Sequence, residues 1–342
     1  VTPPVKLLPV WEYWWFYLGF TGLVLVLLAL DLGVFHRRAH TVSAREAAGW
    51  SVMWVTLALA FNYGFYRFLL YRLPLDPRLT SMAGFDPHQA ALRGALEFLA
   101  GYVTEYSLSV DNIFVFVVVL GFFQVPAQYQ HRVLFFGILG ALVLRGLFVA
   151  LGAVLMRFEA VIFVFGVFLL FTGVRMMFVQ DKGVEPEENI IIRLFRRFVP
   201  VTERIEGKSF FVRREGRTWA TPLFIALLFL ELTDVVFAVD SVPAIFALSR
   251  EPLIVFTSNI FAILGLRSMY FMLAAAVDKF HMLKYGLGVV LIFVGLKMVW
   301  LNDYFHGHFP IGISLGIILG VIGVSILLSL VIPQRPADSS RQ

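Results

Sequence analysis

Two short stretches, Glu105-Tyr-Ser-Leu-Ser-Val-Asp111-Asn112 and Asp234-Val-Val-Phe-Ala-Val-Asp240-Ser241, constrain the fold of this chain more than any other feature. Each sets two carboxylates six residues apart, followed at once by a small polar residue, inside a run otherwise apolar enough to cross a bilayer. An Asp at the centre of a membrane helix costs roughly 2.5 to 3.5 kcal/mol on insertion scales, so four such acids together cost on the order of 10 kcal/mol. Acids at that depth need partners or a purpose.

A helical span needs about 20 apolar residues to cross the hydrocarbon layer. Nine runs qualify, at about 14–35, 47–69, 93–120, 134–156, 159–179, 221–248, 254–276, 285–301 and 310–332. The second is interrupted by Asn62 and Gly64, and the eighth is short. With 59% hydrophobic residues against about 45–50% in soluble domains, the expected class is an all-α polytopic membrane protein making one transmembrane domain. No short apolar run with a small-residue cleavage site precedes the first span, so no removable leader is expected.

The net charge of +5 does not point to nucleic acid, because the basic residues are scattered over loops between spans. With the N-terminus outside, the loops after the odd spans and the C-terminus collect about 18 Lys and Arg, against about 7 on the other face. The positive-inside rule then gives an external N-terminus and a cytoplasmic C-terminus. The one long loop, 180–219, contains an amphipathic segment over Glu187 to Phe198 and a β-hairpin pattern over Ser209 to Trp219. It reads as a solvated connector or as a docking site for a protein partner. Residues 333–342 form a polar tail expected to be disordered.

The chain also contains an internal repeat. Residues 145–181 align without a gap on 267–303, matching Arg145 with Arg267, Gly166 with Gly288, Gly173 with Gly295, Arg175 with Lys297 and Asp181 with Asp303. With one shorter loop the alignment extends backwards, placing Thr104 on Thr233, Glu105 on Asp234 and Asp111 on Asp240. Each unit, 93–179 and 221–301, therefore holds three spans. An odd number of spans forces opposite orientations, the inverted repeat of many secondary transporters, whose sites lie near the midplane between the units.

At about 100° per residue, Thr104, Ser107 and Asp111 share one stripe, and Glu105, Ser109 and Asn112 share another. The second motif places Thr233 with Asp240 and Asp234 with Ser241. Neither pair of acids forms an i, i+4 clamp, so the expected geometry is a crossing of the two helices over a common cavity. Pro243 cannot donate to the carbonyl of Val239, which frees an oxygen beside Asp240. The ligands on offer are oxygens and amides, with Glu231 one turn from Asp234 and with Asn62, Ser258 and Asn259 as further candidates. An all-oxygen site suits hard divalent cations such as Mn²⁺, Mg²⁺ or Ca²⁺. Carboxylates that bind a dication also bind protons, which opens a route to proton exchange.

Structural readings stand beside this one. Arg145 and Arg267 lie well inside their spans and can pair with acids to give a purely structural polar core. Two central arginines cannot neutralise four central carboxylates, however. Glu97 and Asp31 are expected at interfaces, and His306 and His308 form a surface pair in an external loop. Gly166, Gly173, Gly288 and Gly295 are expected where helices pack closely. The chain has no cysteine, which excludes disulfides and thiol chemistry, and no nucleophile–base arrangement lies at membrane depth. No enzyme activity and no resident cofactor are expected.

At these residues the chain resembles the TerC family of tellurite-resistance-associated integral membrane proteins, in particular its Alx-like branch. The matching stretches are Leu30 to Phe35 with Ala39 to Ser43 and Glu46, then Glu105 to Asn112, then Glu231 to Asp234 through Ala238 to Ala244. The resemblance implies a bacterial inner-membrane protein related to the lysine-exporter superfamily that exports manganese. It also implies that Asp111 and Asp240 are the metal-binding residues, and it implies links to alkaline pH response and tellurite resistance. On this reading Glu105 and Asp234 are second ligands or proton carriers. Asn112, Ser241, Thr104, Thr233, Glu231 and Asn259 form a supporting polar shell, and Arg145 and Arg267 are possible counter-charges. The residues alone leave open export of Ca²⁺ or of a basic amino acid, and a non-transporting scaffold.

Overall fold

The computed structural model describes residues 6–30, 44–178, 199–273, 282–305 and 309–332, apart from positions 83, 157, 203, 206 and 215 and the side chains of Ala44, Asp111 and Phe114. The Asp31 segment, the proposed amphipathic segment Glu187–Phe198, the His306/His308 pair and the 333–342 tail lie outside the described residues. The helices are α1 (Val10–Leu30), α2 (Ala44–Arg72), the short α3 (Pro77–Thr80), α4 (Pro87–Phe122), α5 (Ala127–Leu155), α6 (Glu159–Phe178), α7 (Pro222–Leu248), α8 (Pro252–Leu264), α9 (Leu266–Leu273), α10 (Leu283–Leu296), the short α11 (Asn302–Tyr304) and α12 (Ile311–Val331). A two-stranded antiparallel hairpin, β1 (Phe211–Arg214) with β2 (Arg217–Ala220), precedes α7 where the sequence pattern places it.

Eight of the described helical segments are long and apolar enough to span a bilayer. The protein is an all-α, multi-pass membrane protein. The second sequence span corresponds to α2, which runs unbroken for 29 residues through Asn62 and Gly64 but is less apolar than the eight. The seventh span is α8 and α9, which meet at Gly265, and the eighth continues from α10 through a π-helical turn, Lys297–Leu301, into α11.

Helix starts follow from the chain's own signals. Pro87, Pro222 and Pro252 each occupy a first-turn position, where the missing N–H is no loss. Asp86 caps α4 by accepting from the N–H groups of His88 and Gln89. The seventh span lies at the centre of the bundle, with 94% of its apolar window buried, whereas α1, α6 and α12 turn most of theirs outward. Trp11, Trp14, Tyr71, Trp300 and Tyr304 are exposed at helix ends that an alternating topology places on one face, as an aromatic belt at a membrane interface would be.

Helix α4 packs on α7 and α8, α7 packs on α4 and α5, α5 also meets α8, and α6 lies along α10. The last contact is reciprocal. Gly166 faces the Gly295 carbonyl and Gly173 faces the Gly288 carbonyl, while Gly288 and Gly295 face those of Gly173 and Gly166 in return. The sequence alignment matches Gly166 with Gly288 and Gly173 with Gly295, so each glycine meets the aligned mate of the other.

At one end of the bundle Glu97 accepts from Arg93 Nε (2.8 Å) and from Ser249 Oγ (2.6 Å). Beside it the Glu251 carboxylate accepts from the N–H groups of Leu7 (2.8 Å) and Leu8 (3.2 Å), tying the N-terminal segment to the start of α8. Burial raises the Glu251 carboxyl above its ordinary value of 4.5, with Glu97 adding to the rise and the two N–H groups and Lys6 opposing it. The Leu7 and Leu8 N–H groups hold the value down because they bond the ionised carboxylate more strongly than the protonated one. The N-terminal contact is therefore firmest above the raised value and weakens as pH falls through it. Hydrogen-exchange protection factors at Leu7 and Leu8 are expected to drop as pH is lowered through that range in the native chain and to stay level in Glu251→Gln.

Candidate functional site

The most buried ionic cluster among the described residues is built around Arg145, which is fully buried on α5. Its Nη1 donates to Glu105 Oε1 on α4, to Ser241 Oγ on α7 (2.9 Å) and to Asn259 Oδ1 on α8 (2.9 Å). Its Nη2 donates to Asp234 Oδ1 on α7 at 3.3 Å. Four helices, drawn from both sequence repeats, thus converge on one guanidinium. The stripe arithmetic anticipated that Asp234 and Ser241 share a face, and both meet Arg145. Glu105 reaches the same point from α4, so the two helices carry their first acids to a common centre.

The cluster is not saturated. Two carboxylates face one guanidinium, and Glu105 Oε2, Asp234 Oδ2 and Asn259 Nδ2 are buried without a hydrogen-bond partner. Nearby on the α4 helix the hydroxyls of Thr104 and Ser109 are buried and equally without partner. A buried polar group left unpaired costs about 1–3 kcal/mol, so this many in one place marks a site built for something further.

The remaining sequence candidates lie around this centre. Asp240 faces a different neighbour, α6, close to the Thr172 hydroxyl and to the positive charge of Arg175. Asp111 lies on α4, six residues beyond Glu105, and its side chain is outside the described residues. Asn112 is buried, whereas Thr233 donates to its own helix at the Leu230 carbonyl. Glu231 packs against Gly140 of α5, close enough to Asp234 to feel its charge, with Oε2 unpartnered. Arg267, the repeat mate of Arg145, is 3.3 Å from His131 Nε2.

Ser249 and Thr172 carry no signal in the sequence. Glu97, expected at an interface, is buried at the outer rim of the bundle with Arg93 and Ser249. The i, i+4 spacing of Arg93 and Glu97 was the available signal. Among the described residues no three His, Asp or Glu side chains gather to hold a metal by themselves; the converging oxygens at Arg145 come from two acids, a hydroxyl and an amide. At the end of the bundle opposite Glu97 and Glu251 lies a cavity of about 770 Å³, lined by Phe122, Gln124, Pro126, Thr202, Arg204 and Ile225 among others.

Comparison with known proteins agrees with the fold. The family described as integral membrane protein TerC family matches residues 90–337. A membrane protein of Myxococcus xanthus is 50% identical over 323 residues, covering 94% of this chain and 93% of its own. Proteins of Salmonella typhi and Escherichia coli (strain K12), each named as a proposed membrane-bound redox modulator, Alx, are 44% identical over 313 residues, 91% of this chain and 92% of theirs. No solved structure matches the chain.

Proposed function

This chain belongs to the TerC family of integral membrane proteins, and on that premise we propose that it is a secondary transporter exporting hard divalent cations, Mn²⁺ foremost, across the bacterial inner membrane. The observation that carries the reading is the convergence of Glu105 and Asp234 from two helices on one buried cationic group, with one more carboxyl group than cation and open oxygen lone pairs. Acids in a membrane helix that face the bundle interior mark ion pathways. Oxygen-only donors favour Mn²⁺, Mg²⁺ or Ca²⁺ over Zn²⁺ or Cu.

On this reading 93–179 and 221–301 are inverted units, and the reciprocal glycine contact of α6 with α10 is what a two-fold axis between them would produce. The N-terminus lies outside and the C-terminus in the cytoplasm. Asp111 and Asp240 lie six residues beyond Glu105 and Asp234 on oppositely running helices, about 9 Å further along each. They therefore flank the central pair on opposite sides, Asp111 towards the cytoplasm and Asp240 towards the exterior. They are the ligands through which the ion would enter and leave. The end assigned to the cytoplasm carries the cavity lined by Phe122, Thr202 and Arg204, and the other end is tied by Glu97, Ser249 and Glu251. Protonation of the same acids would couple export to proton entry.

Flux from liposomes loaded with a panel of ions is expected to rank Mn²⁺ above Mg²⁺, Ca²⁺ and Zn²⁺, and an imposed proton gradient is expected to change the Mn²⁺ rate. Lysine or arginine flux with no metal flux would move the substrate to basic amino acids.

A scaffold is the second reading, and one observation favours it: Arg145 already ties Glu105 to Asp234, as a structural ion network would. Deleting most of the 180–219 loop would abolish function in a scaffold and largely spare a transporter. The redox role in the relatives' name cannot run through thiol exchange in a chain without cysteine.

A further inference from the structure

We propose that the Arg145 guanidinium is a tethered stand-in for the transported cation, filling the Glu105–Asp234 cage when it is empty and leaving when an ion enters. The inference rests on the reading of the chain as a cation transporter. It adds how the empty carrier returns.

The geometry around Nη1 is that of a cation in a cage. Three oxygens from three helices, Glu105 Oε1, Ser241 Oγ and Asn259 Oδ1, converge on this nitrogen, one more than its two hydrogens can serve. An arrangement made for a guanidinium alone would match donors to acceptors and engage both carboxylates in parallel pairs. Here the second oxygen of each carboxylate is left over, and Arg145 Nε is unpartnered as well. Withdrawing the guanidinium would leave the four oxygens that now face it, Glu105 Oε1, Asp234 Oδ1, Ser241 Oγ and Asn259 Oδ1, with the second oxygen of each carboxylate still unpartnered. Oxygen donors of this type suit a small hard dication.

Charge then dictates the sequence of events. A dication between two carboxylates is neutral; with the guanidinium still present the site would be positive, so entry of the ion expels Arg145. Once the ion has left, two bare carboxylates at bilayer depth would be strongly disfavoured. Arg145 returns to offset one carboxylate and the exchanged proton offsets the other, so the metal-free carrier can reorient. Net efflux needs this empty return; exchange of one ion for another does not.

The test uses the full-length protein in liposomes, with radioactive Mn²⁺ as probe. Two rates are compared: net efflux into Mn²⁺-free buffer, and exchange with Mn²⁺ on both sides. In Arg145→Gln the ratio of net efflux to exchange is expected to fall on the order of 100-fold, and equilibrium Mn²⁺ binding to tighten about tenfold as the internal competitor is lost. Arg145→Lys keeps the charge, so its ratio should stay within about tenfold of the native value. An unaltered ratio in Arg145→Gln, or parallel loss of binding, exchange and net efflux in a folded variant, would overturn the proposal and leave the transporter reading standing. Should Arg145→Gln fail to fold, Arg145→Lys decides, since an ammonium satisfies fewer of the cage oxygens. Its Mn²⁺ binding should then tighten about threefold, and unchanged or weaker binding overturns the proposal. A native protein that neither binds nor moves any divalent ion would remove the functional reading itself.

Discussion

Asp234→Asn is expected to lower Mn²⁺ efflux from liposomes on the order of 100-fold, and Glu105→Gln to match it. Each substitution keeps the shape of the side chain and removes one of the two negative charges that face Arg145. Breaking one partner of a buried ion pair costs about 3–5 kcal/mol, and each 1.4 kcal/mol is about tenfold in an equilibrium. Part of that loss falls on ion binding, because a dication facing one carboxylate keeps an uncompensated charge. Asp240→Asn acts differently. Asp240 is half-buried against Thr172 and Arg175, so its loss should slow the passage of the ion and leave binding at the central pair measurable. Efflux and equilibrium binding measured on the same preparations separate the two effects. Equal loss of binding in Asp240→Asn and Asp234→Asn would place both acids in one site.

The second large effect concerns the α6–α10 contact. Gly173→Leu is expected to cost about 3 kcal/mol or more, read as a lowered melting midpoint in detergent. A Cβ at Gly173 would lie 2.7 Å from the Gly288 carbonyl oxygen and 2.9 Å from the Ile292 nitrogen, so backbone meets backbone and the helices must separate. Gly316→Leu on α12 is the matched control, because a Cβ there has nothing within 4 Å. Its midpoint should move little. Close approach through small residues is how membrane helices gain packing without a hydrophobic driving force between them.

How much of this was legible beforehand differs from residue to residue. The span pattern and the hairpin could be read because apolar run length and strand alternation are local properties. The glycines could be read as packing positions because the repeat paired them, although their reciprocal contact needed coordinates. Helical periodicity put Asp234 and Ser241 on one face and Glu105 on the matching face of its own helix. Which acids meet was not legible, because it depends on how α4 and α7 cross and on where α5 delivers Arg145. Periodicity within one helix says nothing of either. Arg145 meets the first acid of each motif, and Arg267, its repeat mate, lies 3.3 Å from His131 Nε2. Asp240 found its neighbours on α6, and the pairing of Arg175 with Lys297 in the repeat was the only hint of a basic residue there.

Anomalous scattering at the manganese edge from protein soaked in Mn²⁺ shows whether Glu105 and Asp234 hold the transported ion. A peak is expected between the two carboxylates, about 2.0–2.6 Å from the oxygens that hold it, the range of hard-cation contacts, with the Arg145 guanidinium displaced from its present contacts. A saturated protein with its peak elsewhere, or with Arg145 still bridging Glu105 and Asp234 and no peak beside them, would contradict that assignment.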